Sequence, residues 1–270
     1  MYPVDTSPPD ALAQQLCDAL HTLPEGRKAT CCGETPTMGQ AGECARNLTG
    51  ALKARAVTLA QADVAACARA SAAALEGCDW VTPLSAPLPP ACDGIVHGEL
   101  AKGARCRSVL ECKDGLTCRG SSPTQTGVCA DPSPAGGGCG GTADPLVAYT
   151  RQLDRDKRHP ECAGWCERGR CTPFAGDGQA CRASKQCARG HCRSGKCSTS
   201  ALPKSTEPCF DVCEAPAACL AGKCAVAKAT GEACSSPFEC KASCVSGKCG
   251  MKCSGWPPPG YPYPGQPKKP

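Results

Sequence analysis

The stretch Gly176–Cys197, GDGQACRASKQCARGHCRSGKC, decides how the rest of the chain is read. A glycine stands three residues before the first cysteine, and the frame then runs Cys181-x5-Cys187-x4-Cys192-x4-Cys197. Nearly the same frame returns in GEACSSPFECKASCVSGKC at Gly231–Cys249, over Cys234, Cys240, Cys244 and Cys249, with one residue fewer in the middle gap. A looser copy opens as GARCRSVLECKDGLTC at Gly103, over Cys106, Cys112 and Cys118, and closes at Cys129. Units with four cysteines and few large apolar residues need cross-links in place of a core.

Composition extends this reading to the whole chain. Twenty-eight of 270 residues are cysteine, while only 4% are aromatic. That density belongs to disulfide scaffolds, and it predicts several small stapled units rather than one large core. The count is even, which permits complete pairing, and such bridges persist mainly in oxidising compartments, so the expected location is extracellular or on a cell surface. Met1-Tyr-Pro-Val-Asp5 shows neither the basic nor the apolar region of a signal peptide, so secretion implies a leader removed or lying upstream. No apolar run is long enough to span a membrane, and a lipid anchor stays open if a leader is missing. The net charge of +5 is mild and says little about partners.

Residues 1–100 read as a small α-helical domain. Ser7 and Pro8 suit an N-cap and first helical position, Leu12, Leu16, Leu20 and Leu23 form one stripe, and Pro24 is expected to end the helix. Cys31 and Cys32 fall in a turn and are expected to staple two different elements, one of them helix 1 through Cys17. A second helix is expected near residues 43–55 around Cys44. Thr58 and Gln61 have the spacing of a capping box opening a third helix with Val64, Cys67, Ala68 and Leu75, closed by Gly77. A bridge between Cys78 and Cys92 would tie off the Pro-rich loop between them.

Beyond residue 100 the expected elements are turns and short hairpins. A first cysteine-rich module covers 101–135, with an Asp114-Gly115 hairpin signal and a linker at 131–138. An irregular module at 136–175 holds Cys139, Cys162, Cys166 and Cys171, interrupted by a helix that Asp144-Pro145 opens and that runs to about Lys157. Further modules follow at 176–200, at 205–228 (Cys209, Cys213, Cys219 and Cys224) and at 229–253, ending at Cys253, with a linker over 198–208. Residues 254–270 are a Pro-rich tail expected to be disordered. Four cysteines allow three connectivities, and spacing does not choose among them. A first-to-third, second-to-fourth arrangement would close two interlocked loops, each bridge contributing roughly 2–3 kcal/mol. Gly190, Gly195, Gly222 and Gly247 each stand two residues before a cysteine, where a tight turn calls for positive φ. The helical part has seven cysteines and the last module five, so either one of each pairs across the chain or Cys253 is left for a partner molecule.

The frame Gly-x-x-Cys-x5-Cys-x-x-Gly-Leu-x-Cys at Gly103–Cys118 resembles the Dickkopf N-terminal cysteine-rich domain and is similar to the EB module of other extracellular proteins. The layout as a whole resembles bacterial secreted or lipid-anchored proteins in which a helical cysteine-containing region precedes such repeats, and the Ala-, Arg-, Gly- and Pro-rich composition suits a GC-rich bacterial genome. The likeness covers roughly residues 92–253 and implies an extracellular repeat protein. Wnt antagonism is not carried over, because it depends on a colipase-like domain with no counterpart in this sequence.

Chemistry-bearing patterns are few. The chain has no Cys-x2-Cys and no Cys-x-Cys, so disulfides are favoured over a metal site, and no cofactor is implied. Cys17 and His21 share a helical face, but no third group orients the pair as a nucleophile would need; the plain reading is a bridged cysteine beside a surface histidine, with His191 exposed in a loop. Arg182, Lys185, Arg189, Arg193 and Lys196 fall in a module with no acid between Cys181 and Cys197, and could grip an anionic glycan or acidic partner or simply solvate the module. Nucleic acid is disfavoured by the lack of interleaved aromatics. Trp256, Tyr261 and Tyr263 in the tail suit docking or a plain spacer. Asn47-Leu48-Thr49 matches a glycosylation sequon. The expected function is a non-enzymatic interaction or structural protein for a protein or glycan partner, the alternative being an inhibitor of an extracellular enzyme such as a protease.

Overall fold

Asp10, not Ser7, starts the first helix: its Oδ1 accepts from the backbone N–H of Leu12 and Ala13, and its own N–H donates to Thr49 Oγ1 at 2.9 Å. The structure is a computed structural model that describes residues 8–36, 39–82, 86–122, 124–140, 143–152, 155–209, 211–214, 217–220 and 222–253, so Ser7 lies outside it. Helix α1 spans Ala11–Cys17 and passes through a π turn at Asp18–Thr22 into α2, Leu23–Cys32. Pro24 does not stop the helix as expected. Its ring would collide with the Leu20 carbonyl in an unbroken α-helix. The π turn, where Leu23 N–H reaches back to the Asp18 carbonyl, widens the coil just before it. Leu16 and Leu20 are buried, while Leu12 in the first turn and Leu23 beyond the π turn are only partly so.

Cys31 and Cys32 therefore sit in the last turn of α2, and Gly33 ends the helix at φ 64°. Neighbouring helical positions diverge by about 100°. The two cysteines duly reach different elements, Cys31 joining Cys78 and Cys32 joining Cys253. Helix 1 is instead held by Cys17–Cys44, which ties it to α3, Ala41–Lys53, and Cys67–Cys92 takes the partner once expected for Cys78. The capping box does not form. Thr58 lies in a short strand β1, Val57–Thr58, and its hydroxyl donates to Glu99. Helix α4 runs Gln61–Ala74 from Ala60 with no side-chain cap, and β1 pairs antiparallel with β2, His97–Gly98.

The apolar core gathers Leu16, Leu20, Leu48, Val57, Val64 and Val96 from this helical base. It continues without a break into the first module through Val109, Leu110 and the cysteines at 106, 112, 118 and 129. That module is a three-stranded sheet of β3 (Arg105–Cys106), β4 (Thr117–Arg119) and β5 (Gly127–Ala130) in the order β3-β5-β4. Asp114-Gly115 makes a turn before β4 rather than a hairpin loop, since β4 pairs with β5 and not with β3. Asp144 caps α5, Pro145–Thr150, as its sequence signal implied. The helix stops early, where Arg151 turns left-handed at φ 54°, and a separate α6 covers Arg155–Arg158.

Four two-stranded hairpins follow: β6–β7 (Trp165–Glu167, Arg170–Thr172), β8–β9 (His191–Arg193, Lys196–Ser198), β10–β11 (Ala218–Leu220, Lys223–Ala225) and β12–β13 (Ser243–Val245, Lys248–Gly250). All five modules pair first cysteine to third and second to fourth: 106–118 and 112–129, 139–166 and 162–171, 181–192 and 187–197, 209–219 and 213–224, 234–244 and 240–249. No cysteine is free. In β8–β9 the two-residue tip Ser194-Gly195 has φ of 50° and 77°, the mirror-image turn that matches strand twist, and Arg168-Gly169 and Ser246-Gly247 repeat it.

The expected linkers are built into the modules. Ser133 N–H donates to the Glu161 carbonyl, Gly136 N–H to that of Cys171, and Thr206 N–H to that of Cys224. The last module returns to the helical base, where Cys32–Cys253 is joined by Thr230 Oγ1 donating to Asp79 and Lys252 N–H donating to the Val81 carbonyl. Of the two fates open to Cys253, the chain takes the cross-chain one.

Non-reducing peptide mapping should recover a Cys32–Cys253 cross-linked peptide. The Cys32→Ser/Cys253→Ser variant should keep the other bridges and lose about 2–4 kcal/mol in denaturant unfolding. In the β8–β9 module, a Cβ at Gly190 would lie 2.1 Å from the Ser198 carbonyl oxygen. Gly190→Ala should therefore scramble pairing on oxidative refolding, whereas Gly195→Asn, at an open turn position, should refold to a single disulfide isomer.

Candidate functional site

The module at 176–198 carries most of the candidate binding residues, and its construction explains why they face outward. Its interior is filled by Cys181, Cys187, Cys192 and Cys197, with Ala175 packed against them. Arg182, Lys185, Arg189, Arg193 and Lys196 are all exposed, and none forms an ion pair with a carboxylate among the described residues. Arg193 and Lys196 are cross-strand neighbours beside the Ser194-Gly195 tip. Arg193 also donates to Ser200 Oγ at 3.3 Å. The module's own acid is Asp177, ahead of Cys181, and a second, Asp211 of the following module, has its two oxygens accepting from Ser184 N–H and Ser184 Oγ, both at 2.5 Å. Asp211 thus fixes the 3₁₀ turn Ser184–Gln186 and couples the two modules.

His191 is not exposed as expected. It is 3% accessible on β8 and its Nε2 has no hydrogen-bond partner among the described residues. His191 and Cys192 point to opposite faces of β8 and both are buried, so the strand is covered on both sides here, which a sequence of turns and cysteines does not reveal. His21 is likewise buried rather than a surface group. Its Nε2 lies 2.6 Å from the Tyr149 carbonyl oxygen, which assigns the proton to that nitrogen. Burial pushes its pKa below the ordinary histidine value, with the Tyr149 carbonyl and Glu25 opposing and Arg151 assisting. His159 is held low in the same way, chiefly by burial; its Nδ1 is 3.0 Å from the Leu116 carbonyl oxygen. The Cys17–His21 pair holds no nucleophile, because Cys17 is bridged to Cys44.

A cleft of about 1080 Å³ opens between α2 and α5. His21, Glu25, Lys28, Trp80 and Arg151 line it, and Cys253 forms part of its wall. Lys28 Nζ donates to the Thr82 carbonyl at 3.0 Å, and Arg151 to that of Ala86 at 2.5 Å. Partial burial lowers the Arg151 pKa. These cations are held by main-chain oxygens, and the cleft wall is fixed by Gln152, which bonds the Cys92 carbonyl and the Gly94 N–H.

In each module three cysteine sulfurs lie within 4.8 Å of one another, a spacing that would suit a metal ion. Every one of them is bonded to a partner sulfur, so none offers the thiolate that binds a metal. The sequon is not presented either: Asn47 is buried in α3 with its Nδ2 donating to the Glu43 carbonyl. Trp256, Tyr261 and Tyr263 lie outside the described residues.

Two sets of residues escaped the sequence reading. The residue just before the second cysteine accepts a hydrogen bond from the N–H just after the first: Glu111 from Arg107, Glu161 from Gly140, Gln186 from Arg182 and Glu239 from Ser235. The signal was a Glu or Gln at that position in four modules. Phe174 is 43% exposed beside the basic module, and the adjacent Ala175 N–H donates to the Gln186 carbonyl.

No family model, curated protein or solved structure matches this chain. What the fold defines is a class: a disulfide-rich repeat protein of crossed-cystine hairpin modules, preceded by a stapled helical base.

The lowered pKa values set a pH dependence. Folding favours neutral His21 and His159, so their contribution is full above about pH 6.5 and declines as pH falls through that value toward the folded pKa. Proton NMR titration should give imidazole midpoints below 6.5 for both, and thermal stability should fall between about pH 7 and pH 5. Glu239, held at about 2 by hydrogen bonds from Lys228 and Ser235, should keep the Ser235 amide slow to exchange until pH falls well below 4.5, and Glu239→Gln should remove that acid-dependent step.

Proposed function

We propose that this is a secreted or surface-displayed interaction or structural protein that binds a protein or glycan partner and carries out no chemistry of its own. The observation that carries the reading is that, in the 176–198 module, crossed cystines fill the apolar interior and leave Arg182, Lys185, Arg189, Arg193 and Lys196 outward around a two-residue hairpin tip. Pre-organised loops bind with little loss of conformational freedom, which is what a recognition surface needs. Extensive bridging fits an extracellular protein, and no described helix is long and apolar enough to cross a membrane. The likeness of the Gly103–Cys118 frame to Dickkopf N-terminal and EB modules supports the same reading.

The inhibitor alternative asks for an extended loop held taut for a protease cleft. The first inter-cysteine loop of the 176–198 module instead coils as a 3₁₀ turn, and its hairpin tip is only two residues long. Those shapes favour recognition by a rigid surface over substrate mimicry.

Oxidised protein screened on arrays of extracellular proteins and glycans is expected to bind a partner, and reduction with alkylation should abolish that binding. Serine, cysteine and metalloprotease panels should keep full activity in its presence. Stoichiometric inhibition of any of them would transfer the conclusion to the inhibitor reading, and binding that survives full reduction would remove the structural basis of both.

A further inference from the structure

Within the hairpin modules, one strand position always carries a cation. Arg170, Lys196, Lys223 and Lys248 each follow the tip glycine, precede the fourth cysteine and are exposed. Each is also bridged on its other side, to Gly138, Ala180, Pro208 and Ala233, so the backbone beneath it is fixed from both edges. The residue opposite differs. It is Glu167, Leu220 or Val245 in three modules, and in the 176–198 module it is Arg193.

Like charges directly opposite in an antiparallel pair are destabilising. The Arg193–Lys196 pair stands at a two-residue tip that cannot splay, and no described carboxylate neutralises it. Arg182, Lys185 and Arg189 add three more cations to the same small unit. The module's own acid, Asp177, forms no ion pair with these cations among the described residues, and Asp211, reaching in from the next module, has both oxygens occupied by Ser184. A rigid concentration of unneutralised charge is relieved by an anion that spans several cations at once. A polymer does so at a lower entropy cost than separate small ions. Phe174, two residues before Gly176, sets one exposed aromatic ring at the start of this module, enough to face a single sugar ring. Single-stranded nucleic acid would be served by several stacking platforms.

From this arrangement we infer that the 176–198 module is the binding site for a linear anionic polysaccharide, a chain bearing carboxylate or sulfate groups, with Arg193 and Lys196 at its centre. Arg170, Lys223 and Lys248 of the neighbouring modules extend the set for longer chains. The inference rests on the interaction reading above and names the partner class for it.

The test uses full-length oxidised protein, with heparin and polygalacturonate as sulfate and carboxylate probes. Both wild-type binding and its steep weakening with salt are expected on at least one probe. Arg193→Glu/Lys196→Glu should lower affinity about tenfold or more. Lys204→Glu/Lys241→Glu, with the same change in net charge at exposed sites elsewhere, should lower it far less. Phe174→Ala should weaken binding while leaving its salt dependence unchanged. Inorganic sulfate at matched ionic strength should not compete beyond its screening effect. Equal losses in the two charge-reversal variants, or tighter binding to single-stranded DNA than to either polysaccharide, would overturn the inference. Failure to bind either polysaccharide would overturn it too, while a partner found on the protein array would leave the interaction reading standing. A disulfide map of each variant separates lost binding from lost folding, and if the Arg193/Lys196 variant mispairs, Arg182→Glu/Arg189→Glu gives the same comparison away from the hairpin.

Discussion

The crossed cystine pair is the constraint on which the rest depends. In the 176–198 module the four cysteines are nearly inaccessible and form the whole apolar cluster, with Ala175 packed against it and His191 the other buried side chain. Sulfur there does two jobs. It fills the interior in place of branched hydrocarbon, and it restricts the unfolded chain by closing loops of about ten residues, each worth roughly 2–3 kcal/mol. Neither job involves the outward side chains. In four of the five modules the residue before the second cysteine adds a hydrogen bond from the N–H just after the first. Four modules use Glu or Gln there, so the hydrogen bond recurs where the side chains around it do not.

Reliance on sulfur is graded along the chain. The helical base has a hydrocarbon core as well as bridges, and the first module borrows from it through Val109 and Leu110. From residue 176 onward no comparable cluster exists among the described residues, and each unit stands on its own cystines. The last module then returns to the base through Cys32–Cys253, the Thr230–Asp79 bond and the Lys252 amide. A chain of independently stapled units is thereby closed into a covalent ring, and the part with the weakest hydrocarbon support is anchored to the part with the strongest.

Much of this was legible in the cysteines and glycines, because both impose hard geometry. The repeat frame marked the modules, the positive φ at Gly190, Gly195, Gly222 and Gly247 followed from their place before a cysteine, and parity raised the cross-chain bridge as one of two outcomes. Connectivity was not legible, since the spacing of four cysteines permits all three pairings. Softer signals failed where tertiary structure outbid them. Pro24 was expected to end a helix, but a π turn absorbed it. Thr58 was expected to cap a helix, but strand pairing with residue 97 claimed it. Gly-rich segments read as linkers because composition does not show which carbonyls wait for their amides. For the candidate site, the exposed cations were visible as residues but not as an arrangement, because only strand register sets Arg193 against Lys196.

That register also shows where variation is free. The cation after the tip glycine is common to four hairpins, while the residue facing it is acidic, aliphatic or basic. In a hydrocarbon-cored hairpin such changes would alter packing as well as charge. With cystine inside, they alter only the surface potential and leave the strand geometry in place. The same backbone can therefore present a neutralised tip in one module and a doubly positive one in the next. Differences between modules then arise from charge placed on a constant frame, and the 176–198 module is the one whose opposing charges are alike.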